Sequence, residues 1–149
     1  MITESLKFLY ARDLNKLKTE IETYQNEKKL WKINKNISNS AGNLCLHLIG
    51  NLNTYIGAQL GHSGYIRQRD LEFSLKDIPR TELIEQVEKT INMVNFTLEK
   101  LSAEDLEKEY PAEPLGYPMT IEYFLIHLFG HLNYHVGQIN YHRRLLDLE

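Results

Sequence analysis

Three histidines near the C-terminus share one face of a predicted helix. His127, His131 and His135 are spaced four residues apart within the apolar stretch 124–138, and residues four apart lie one above the other on a helix. Imidazoles in an apolar segment cost stability unless each finds a partner. Because a transition metal is such a partner, and the i, i+4 spacing is that of helical metal ligands, the stretch predicts a metal site.

The same spacing limits which of the three histidines can share one ion. Neighbouring histidines are about 6 Å apart along the helix axis and the outer two about 12 Å apart, at a rise of about 1.5 Å per residue. A bond from a metal to an imidazole nitrogen is only about 2.1 Å long. The ion therefore binds either His127 with His131 or His131 with His135, and the spacing leaves both pairs open.

His47 is the candidate for a third ligand from another helix. It lies on the inward-facing stripe of a predicted second helix, which begins after the N-cap Ser40 and runs to about Gln59 or Leu60. Three imidazoles leave a coordination position for water or substrate, as in catalytic zinc sites. The alternative interpretation is a set of core histidines that are hydrogen-bonded to tyrosines and asparagines.

Two further groups are candidates for a role beside the metal. Asp13 falls in the apolar stripe of a first helix, from about Thr3 to Tyr24, and is expected to point inward. It either supports a buried histidine or pairs with a lysine such as Lys16. Arg67 and Arg69 belong either to a solvated loop or to a lid that steers an anionic ligand.

The other histidines and the cysteine receive structural interpretations. His62 lies in a glycine-rich turn and is expected to be exposed. His142, near the end of the last helix, is expected at the surface or at a subunit interface. Cys45 lies about 200° around the helix from His47 and is expected to be a small buried hydrophobe.

Four amphipathic helices must position these residues. The third runs from about Thr81 to Leu101 with a seam free of titratable groups, and the fourth runs from the N-cap Thr120 to about Leu146. The segment 61–79 shows no sustained helical period and is long enough to cross a bundle of about 30 Å. The pattern predicts an all-α protein, and 149 residues suit one domain over 1–149.

Composition narrows the classes of partner. A net charge of −3 argues against a nucleic-acid-binding surface, which needs a basic stripe. A single cysteine excludes an internal disulfide and suits a reducing compartment. Without a signal peptide or an apolar run of about 18–20 residues, we expect a cytoplasmic protein with no membrane partner.

Glycines recur inside two predicted helices, although glycine weakens a helix. The second helix carries Gly50, Gly57 and Gly61, and the last helix carries Gly130 and Gly137. Their repeated use indicates either a close approach of two backbones or a subunit interface.

The histidine pattern resembles that of the DinB/YfiT-like four-helix metalloprotein superfamily. The matching residues are His47 within Leu44–Leu48 and the segment from His131 to Gln138, with Trp31 shortly before the second helix. The resemblance covers essentially the whole chain. It implies an up-down-down-up bundle with a long crossover between the second and third helices, a Zn²⁺ or Ni²⁺ site formed by three histidines, and frequent homodimers.

By this resemblance His131 and His135 are the ligand pair, and His127 lines the site one turn away. The departure is Val136, where many members carry arginine. Characterised relatives include bacillithiol and mycothiol transferases and a maleylpyruvate isomerase. The expected function is therefore a metal-dependent enzyme that activates a thiol or a water toward a small-molecule substrate. His127 or Asp13 would orient a ligand or move protons in it.

In the same hypothesis Arg67 and Arg69 would hold the carboxylates of a low-molecular-weight thiol cofactor. The competing hypothesis is a non-catalytic helical bundle, either a metal-binding sensor or a dimeric module.

Overall fold

The computed structural model describes residues 1–148, and this part of the chain is all-helical. Its helices are α1 (Ile2–Thr23), α2 (Ala41–Leu52), α3 (Arg69–Ser74), α4 (Arg80–Glu99), α5 (Ala103–Glu107) and α6 (Ile121–Leu146). A 3₁₀ turn (Glu27–Trp31) precedes α2, and a π-helical segment (Asn53–Ala58) continues it. No strand occurs among the described residues, so the all-α prediction is confirmed. None of these helices is long and apolar enough to cross a membrane.

Side-chain caps begin the two helices that carry the histidines. The hydroxyl of Ser40 accepts a hydrogen bond from the Asn43 backbone N–H at the start of α2, at 3.1 Å. The hydroxyl of Thr120 accepts one from the Tyr123 N–H at the start of α6, also at 3.1 Å. Each satisfies a backbone donor that the helix itself leaves unpaired. Both predicted N-caps are therefore confirmed.

Helix α1 contacts α4 and α6 along its length. Lys7 pairs with Glu99 and Lys18 with Glu88, each at 2.9 Å. Because the residue number rises along α1 as it falls along α4, these two helices run antiparallel. The hydroxyl of Tyr10, in contrast, donates to the Leu125 carbonyl at 2.6 Å, and Glu20 near the end of α1 pairs with Arg143 near the end of α6. Helices α1 and α6 therefore run parallel.

Helix α2 contacts the same two helices from its own side. The Asn53 amide donates to Thr90 at 3.0 Å, and Gly61, just after the π-helical segment, lies against Thr97. These contacts make α2 parallel to α4. The rings of Tyr55 and Phe124 meet edge to face at 5.2 Å, near the start of α6, so α2 and α6 run antiparallel.

The apolar side chains of the four long helices form one buried cluster. Cys45 is fully buried within it, and burial raises the pKa of its thiol to about 12, so the thiol stays protonated and inert at neutral pH. The predicted structural role of Cys45 is confirmed. Trp31 packs its ring flat against Gly42, where a Cβ would lie only 2.7 Å from the ring.

The crossover between α2 and α4 contains a helix that the sequence pattern did not predict. Helix α3 is only six residues long, too short to display a helical period. The buried Asn43 amide on α2 donates to two of its C-terminal carbonyls, those of Glu72 at 2.9 Å and Leu75 at 2.8 Å. This side chain pairs carbonyls that a helix end leaves unsatisfied. It therefore holds the crossover against α2.

Candidate metal centre

The imidazoles of three histidines meet where α2 faces α6. The Nε2 atom of His131 lies 3.1 Å from Nε2 of His47 and 3.1 Å from Nε2 of His135. One ring nitrogen from each residue lies within 4.8 Å of the other two. Two nitrogens bound to one ion at about 2.1 Å and a tetrahedral angle are about 3.4 Å apart. The spacing therefore suits a single divalent ion.

The outer nitrogens of two of these rings are occupied by hydrogen-bond acceptors. Nδ1 of His47 lies 3.0 Å from a carboxylate oxygen of Glu72, and Nδ1 of His135 lies 2.7 Å from the amide oxygen of Gln138. Because both oxygens only accept, each Nδ1 must carry the proton. Each Nε2 atom then carries a lone pair that points into the cluster, as in carboxylate–histidine–metal arrangements.

This proton count leaves the cluster short of donors. Two Nε2 lone pairs, from His47 and His135, face the single Nε2 of His131, which can supply at most one proton to both 3.1 Å contacts. Nδ1 of His131 is buried and has no hydrogen-bond partner among the described residues. A Lewis acid at the centre would satisfy all three Nε2 atoms at once, so the residues present fit a transition-metal ion.

The surroundings of His131 and His135 favour the neutral form of these two rings. Burial first, and then the neighbouring histidines, lower the pKa of His131 to about 4. Burial also lowers the pKa of His135. Imidazole binds a metal only in its neutral form, so these rings are in the ligand form at neutral pH.

A buried ion pair from the crossover holds His47 in place. Arg67 forms a fork with Glu72, with Nε to Oε2 at 2.8 Å and Nη2 to Oε1 at 2.9 Å. Burial alone would raise the pKa of Glu72, but hydrogen bonds from His47 and Arg67 outweigh it and hold the pKa below its usual value. The carboxylate therefore stays charged and can accept from both residues.

Gly50 makes room for this carboxylate on the surface of α2. A Cβ built at position 50 would collide with the carboxylate of Glu72, whose Cδ would lie only 2.6 Å away. The sequence analysis offered a close approach of two backbones as one reason for the glycines, but at this position the approaching group is a side-chain carboxylate. At Gly130 and Gly137 on α6, an added Cβ meets no atom within 4 Å.

The other predicted site residues lie at different distances from the cluster. His127 is exposed one turn before His131 and stacks on the Phe124 ring at 5.7 Å. Arg69 is exposed and lies over the ring of Phe73 at 5.3 Å. The Phe73 ring in turn lies 5.0 Å from that of His47, so Arg69 is one ring away from the histidine cluster.

Asp13 is fully buried between α1 and α6, as its position in the apolar stripe predicted. Its carboxylate accepts from Arg12 and from Asn133, each at 2.8 Å, and Lys16 lies 3.7 Å away. Burial alone would raise the pKa of Asp13, but these partners outweigh it and lower the pKa. No contact joins Asp13 to the three histidines in the described part of the chain.

Two surface predictions have opposite outcomes. His62 is exposed, as predicted. His142 is buried, so its predicted surface position is wrong. The turn at 36–39 closes over the end of α6 and, with His142, lines a cavity there, and no helical periodicity reports such a packing partner.

Sequence reasoning missed Glu72 as a site residue. Its only sequence signal is its position in a charged run with Arg67 and Arg69. A run of this kind is usually a solvated loop, and only the folded crossover brings the carboxylate to His47. Gln138 was part of the recognised motif, but its hydrogen bond to His135 was not predicted.

The fold and the site together define an all-helical protein with a three-histidine group that could hold a divalent metal ion. The chain belongs to the family described as "Protein of unknown function (DUF1572)", whose profile matches residues 5–149. No curated protein matches the chain. The description of the family names no activity, so function has to be argued from the site.

We predict that Gly50→Ala lowers the free energy of unfolding by about 1–3 kcal/mol, because the new methyl group displaces a charged, hydrogen-bonded carboxylate. In a Glu72→Ala background the same change should stabilise the protein by up to about 1 kcal/mol, since alanine is the better helix former. Urea unfolding of the four proteins in this double-mutant cycle measures both effects. An equal cost in both backgrounds would rule out the Glu72 contact as the cause.

Proposed function

We propose that the protein is a metal-dependent enzyme whose ion, Zn²⁺ or Ni²⁺, is held by His47, His131 and His135. A single observation carries the proposal. His47 and His135 use their Nδ1 atoms in hydrogen bonds to Glu72 and Gln138, so their Nε2 lone pairs point at Nε2 of His131. A cluster of core histidines that were hydrogen-bonded to one another would need a donor in each of the two contacts, and this cluster supplies at most one for both.

The reaction class follows from three imidazole ligands with a position left for a small molecule. When bound, a divalent ion lowers the pKa of a coordinated thiol or water and so supplies a nucleophile at neutral pH. We infer a thiol S-transferase or a hydrolase-like reaction. In the transferase case the thiol sulfur forms the new bond to an electrophilic carbon, and the thiol proton passes to a base as the leaving group departs.

The surrounding residues receive roles within this proposal. Glu72 and Arg67 orient His47 and hold its Nδ1 proton, as partners of metal-bound histidines do. His127, exposed one turn before the cluster, is placed to take the proton of an incoming ligand. Arg69, which is exposed and lies over the Phe73 ring, would pair with a carboxylate of a thiol cofactor. The Asp13 carboxylate is hydrogen-bonded to Arg12 and Asn133, so Asp13 would influence the site only indirectly, by holding α6 in position.

We also propose that the chain is a single DinB-like domain over 1–149, built as an up-down-down-up four-helix bundle. The helix pairs support this: α1 is antiparallel to α4 and parallel to α6, while α2 is parallel to α4. The crossover through α3 then joins two parallel helices. Membership of the DinB/YfiT-like superfamily rests on the three histidines and Gln138.

The alternative is a non-catalytic protein in which the ion is fully enclosed. Its supporting observation is the tight contact of the crossover with His47, through Glu72 on one side and the Phe73 ring on the other. A metal-binding sensor or a structural metal site would need no open coordination position. The two candidates differ in whether a small ligand can reach the ion.

We predict that the purified protein binds one equivalent of Zn²⁺, Ni²⁺ or Co²⁺ and that His131→Ala abolishes this binding. An ion at 100 times its Kd stabilises the folded state by about 2.7 kcal/mol, which raises Tm by about 5–10 °C for a chain of this size. Elemental analysis and thermal unfolding with and without a chelator measure both effects.

The matched control is His62→Asn, which removes an exposed histidine with φ of 51° that asparagine also tolerates. This variant should keep full metal content and the full Tm increase. A wild-type protein that neither contains metal nor gains stability from added ion would end the metal hypothesis.

We predict further that thiols bind directly to the Co²⁺-loaded protein. An open position should produce a thiolate-to-cobalt absorption band that saturates with added thiol, because a coordinated thiol is deprotonated. The absence of any spectral change with thiol or azide, in a protein that holds a full equivalent of cobalt, would favour the enclosed, non-catalytic alternative.

We infer a homodimer formed through the outer face of α6. Exposed apolar side chains recur on this face at helical spacing: Ile126, Tyr134, Tyr141 and Leu145. Gly130 and Gly137 lie between them, although a Cβ added at either position would meet no atom of the described residues within 4 Å. The α6 helix of a second copy would approach closely over the glycines and pack on the tyrosines. Such a dimer accounts for both the exposed apolar side chains and the glycines.

We predict that the protein has twice the mass of its 17.5 kDa chain in sedimentation equilibrium and that Ile126→Glu converts it to a monomer, because the substitution places a charge in the apolar contact. The control is Phe96→Glu, an equally drastic change at an exposed aromatic residue of α4, which should leave the dimer intact. A monomeric wild type, or a dimer that only Phe96→Glu disrupts, would refute this interface.

A further inference from the structure

A cavity of about 260 Å³ lies between the turn at 36–39 and the C-terminal half of α6. His135, a member of the histidine cluster, is one of the residues that line the cavity. His142 lies two turns further along the helix, about 10 Å away at a rise of about 1.5 Å per residue. Gln138, between them, also lines the cavity. The cavity and the candidate metal centre therefore share a wall.

The lining of this cavity is mostly polar. Amide, hydroxyl and imidazole groups come from Asn36, Ser38, Asn39, Tyr134, Gln138 and His142, and Ile37 and Leu44 are its apolar members. No aspartate, glutamate, lysine or arginine is among the described residues that line it. An ionised group that entered the cavity would lose part of its hydration without gaining a counter-charge.

One buried atom of this lining has no hydrogen-bond partner, and a second, half-buried group uses only part of its hydrogen-bonding capacity. Nδ1 of His142 is buried and has no partner among the described residues, and the whole residue is only 8% exposed. Burial lowers the pKa of His142, so the neutral ring offers one donor and one acceptor. Gln138 uses its amide oxygen on His135, which leaves its NH₂ group as a donor. Buried polar groups of this kind are normally paired.

We propose that this cavity binds an uncharged, hydrogen-bonding portion, of the amide or alcohol class, of the molecule whose reactive group sits at the three-histidine centre. The inference rests on the proposed function, because the reactive end needs the metal. An apolar portion would leave the buried Nδ1 of His142 unpaired, whereas an anionic portion would have no cation to meet. The cavity would thus select the substrate by its uncharged polar part.

The test uses the Co²⁺-loaded protein and three thiols whose chains are of equal length. N-acetylcysteamine carries an amide, 1-pentanethiol is apolar, and 4-mercaptobutanoate is anionic. The thiolate-to-cobalt absorption band gives a Kd for each thiol without any turnover. We expect the wild type to bind N-acetylcysteamine about tenfold more tightly than 1-pentanethiol, and His142→Leu to abolish this preference while it retains cobalt.

Two further variants separate ligand binding from folding. Asn36→Ala changes an exposed residue of the turn and should reduce the preference for the amide thiol even if His142→Leu fails to fold. His142→Asn should restore part of the preference because it returns an amide to the cavity. His62→Asn, remote from the cavity lining, should leave all three Kd values unchanged.

Failure of the inference and failure of the proposed function give different results. A wild type that takes up no cobalt overturns the metal site and this inference with it. Cobalt uptake with equal affinity for the two neutral thiols, or with no thiol bound, overturns the inference alone. Tighter binding of 4-mercaptobutanoate that His142→Leu weakens would overturn the assignment of an uncharged ligand.

Discussion

The hydrogen bond between His47 and the buried carboxylate of Glu72 is the contact on which the site depends. It joins α2 to the crossover, fixes the proton on Nδ1 and aims Nε2 at α6. The carboxylate tolerates burial because Arg67 pairs with it on its other side, and because Gly50 leaves space for it. Because a buried ion pair adds little net stability, we assign the Arg67–Glu72 pair the role of orienting the His47 ring. Three residues, Gly50 on α2 and Arg67 and Glu72 in the crossover, thus position one imidazole.

Helix α6 combines three demands on a single sequence. One face packs into the core, a second face carries the histidines, and a third is exposed and apolar. A helix can separate such demands because its period of about 3.6 residues distributes neighbouring positions around the axis. The glycines on the outer face weaken the helix without any internal reason. We therefore read the outer face as a surface for a second copy and the histidine face as the chemical one.

Much of this arrangement was predictable from local patterns. The N-caps Ser40 and Thr120, the all-helical fold and the inward position of Asp13 each follow from neighbouring residues within a turn or two. The convergence of His47 with a pair on the last helix was also predictable, since periodicity places each of them on an inward face. The contribution of α3 was not, because six residues are too few to display a period and its stabilising contacts come from Asn43 on another helix.

The amino-acid pattern therefore determined the four long helices, most of their buried faces and the limit that only neighbouring histidines of the last helix can share an ion. These properties depend on interactions within one or two turns, and a linear sequence records them directly. Only the tertiary structure decided that Glu72 reaches His47 and that His142 is buried. Contacts of this kind depend on how separate segments approach one another in space. Glu72 approaches α2 at Gly50, and the turn at 36–39 packs near His142. No spacing within a single segment encodes such an approach.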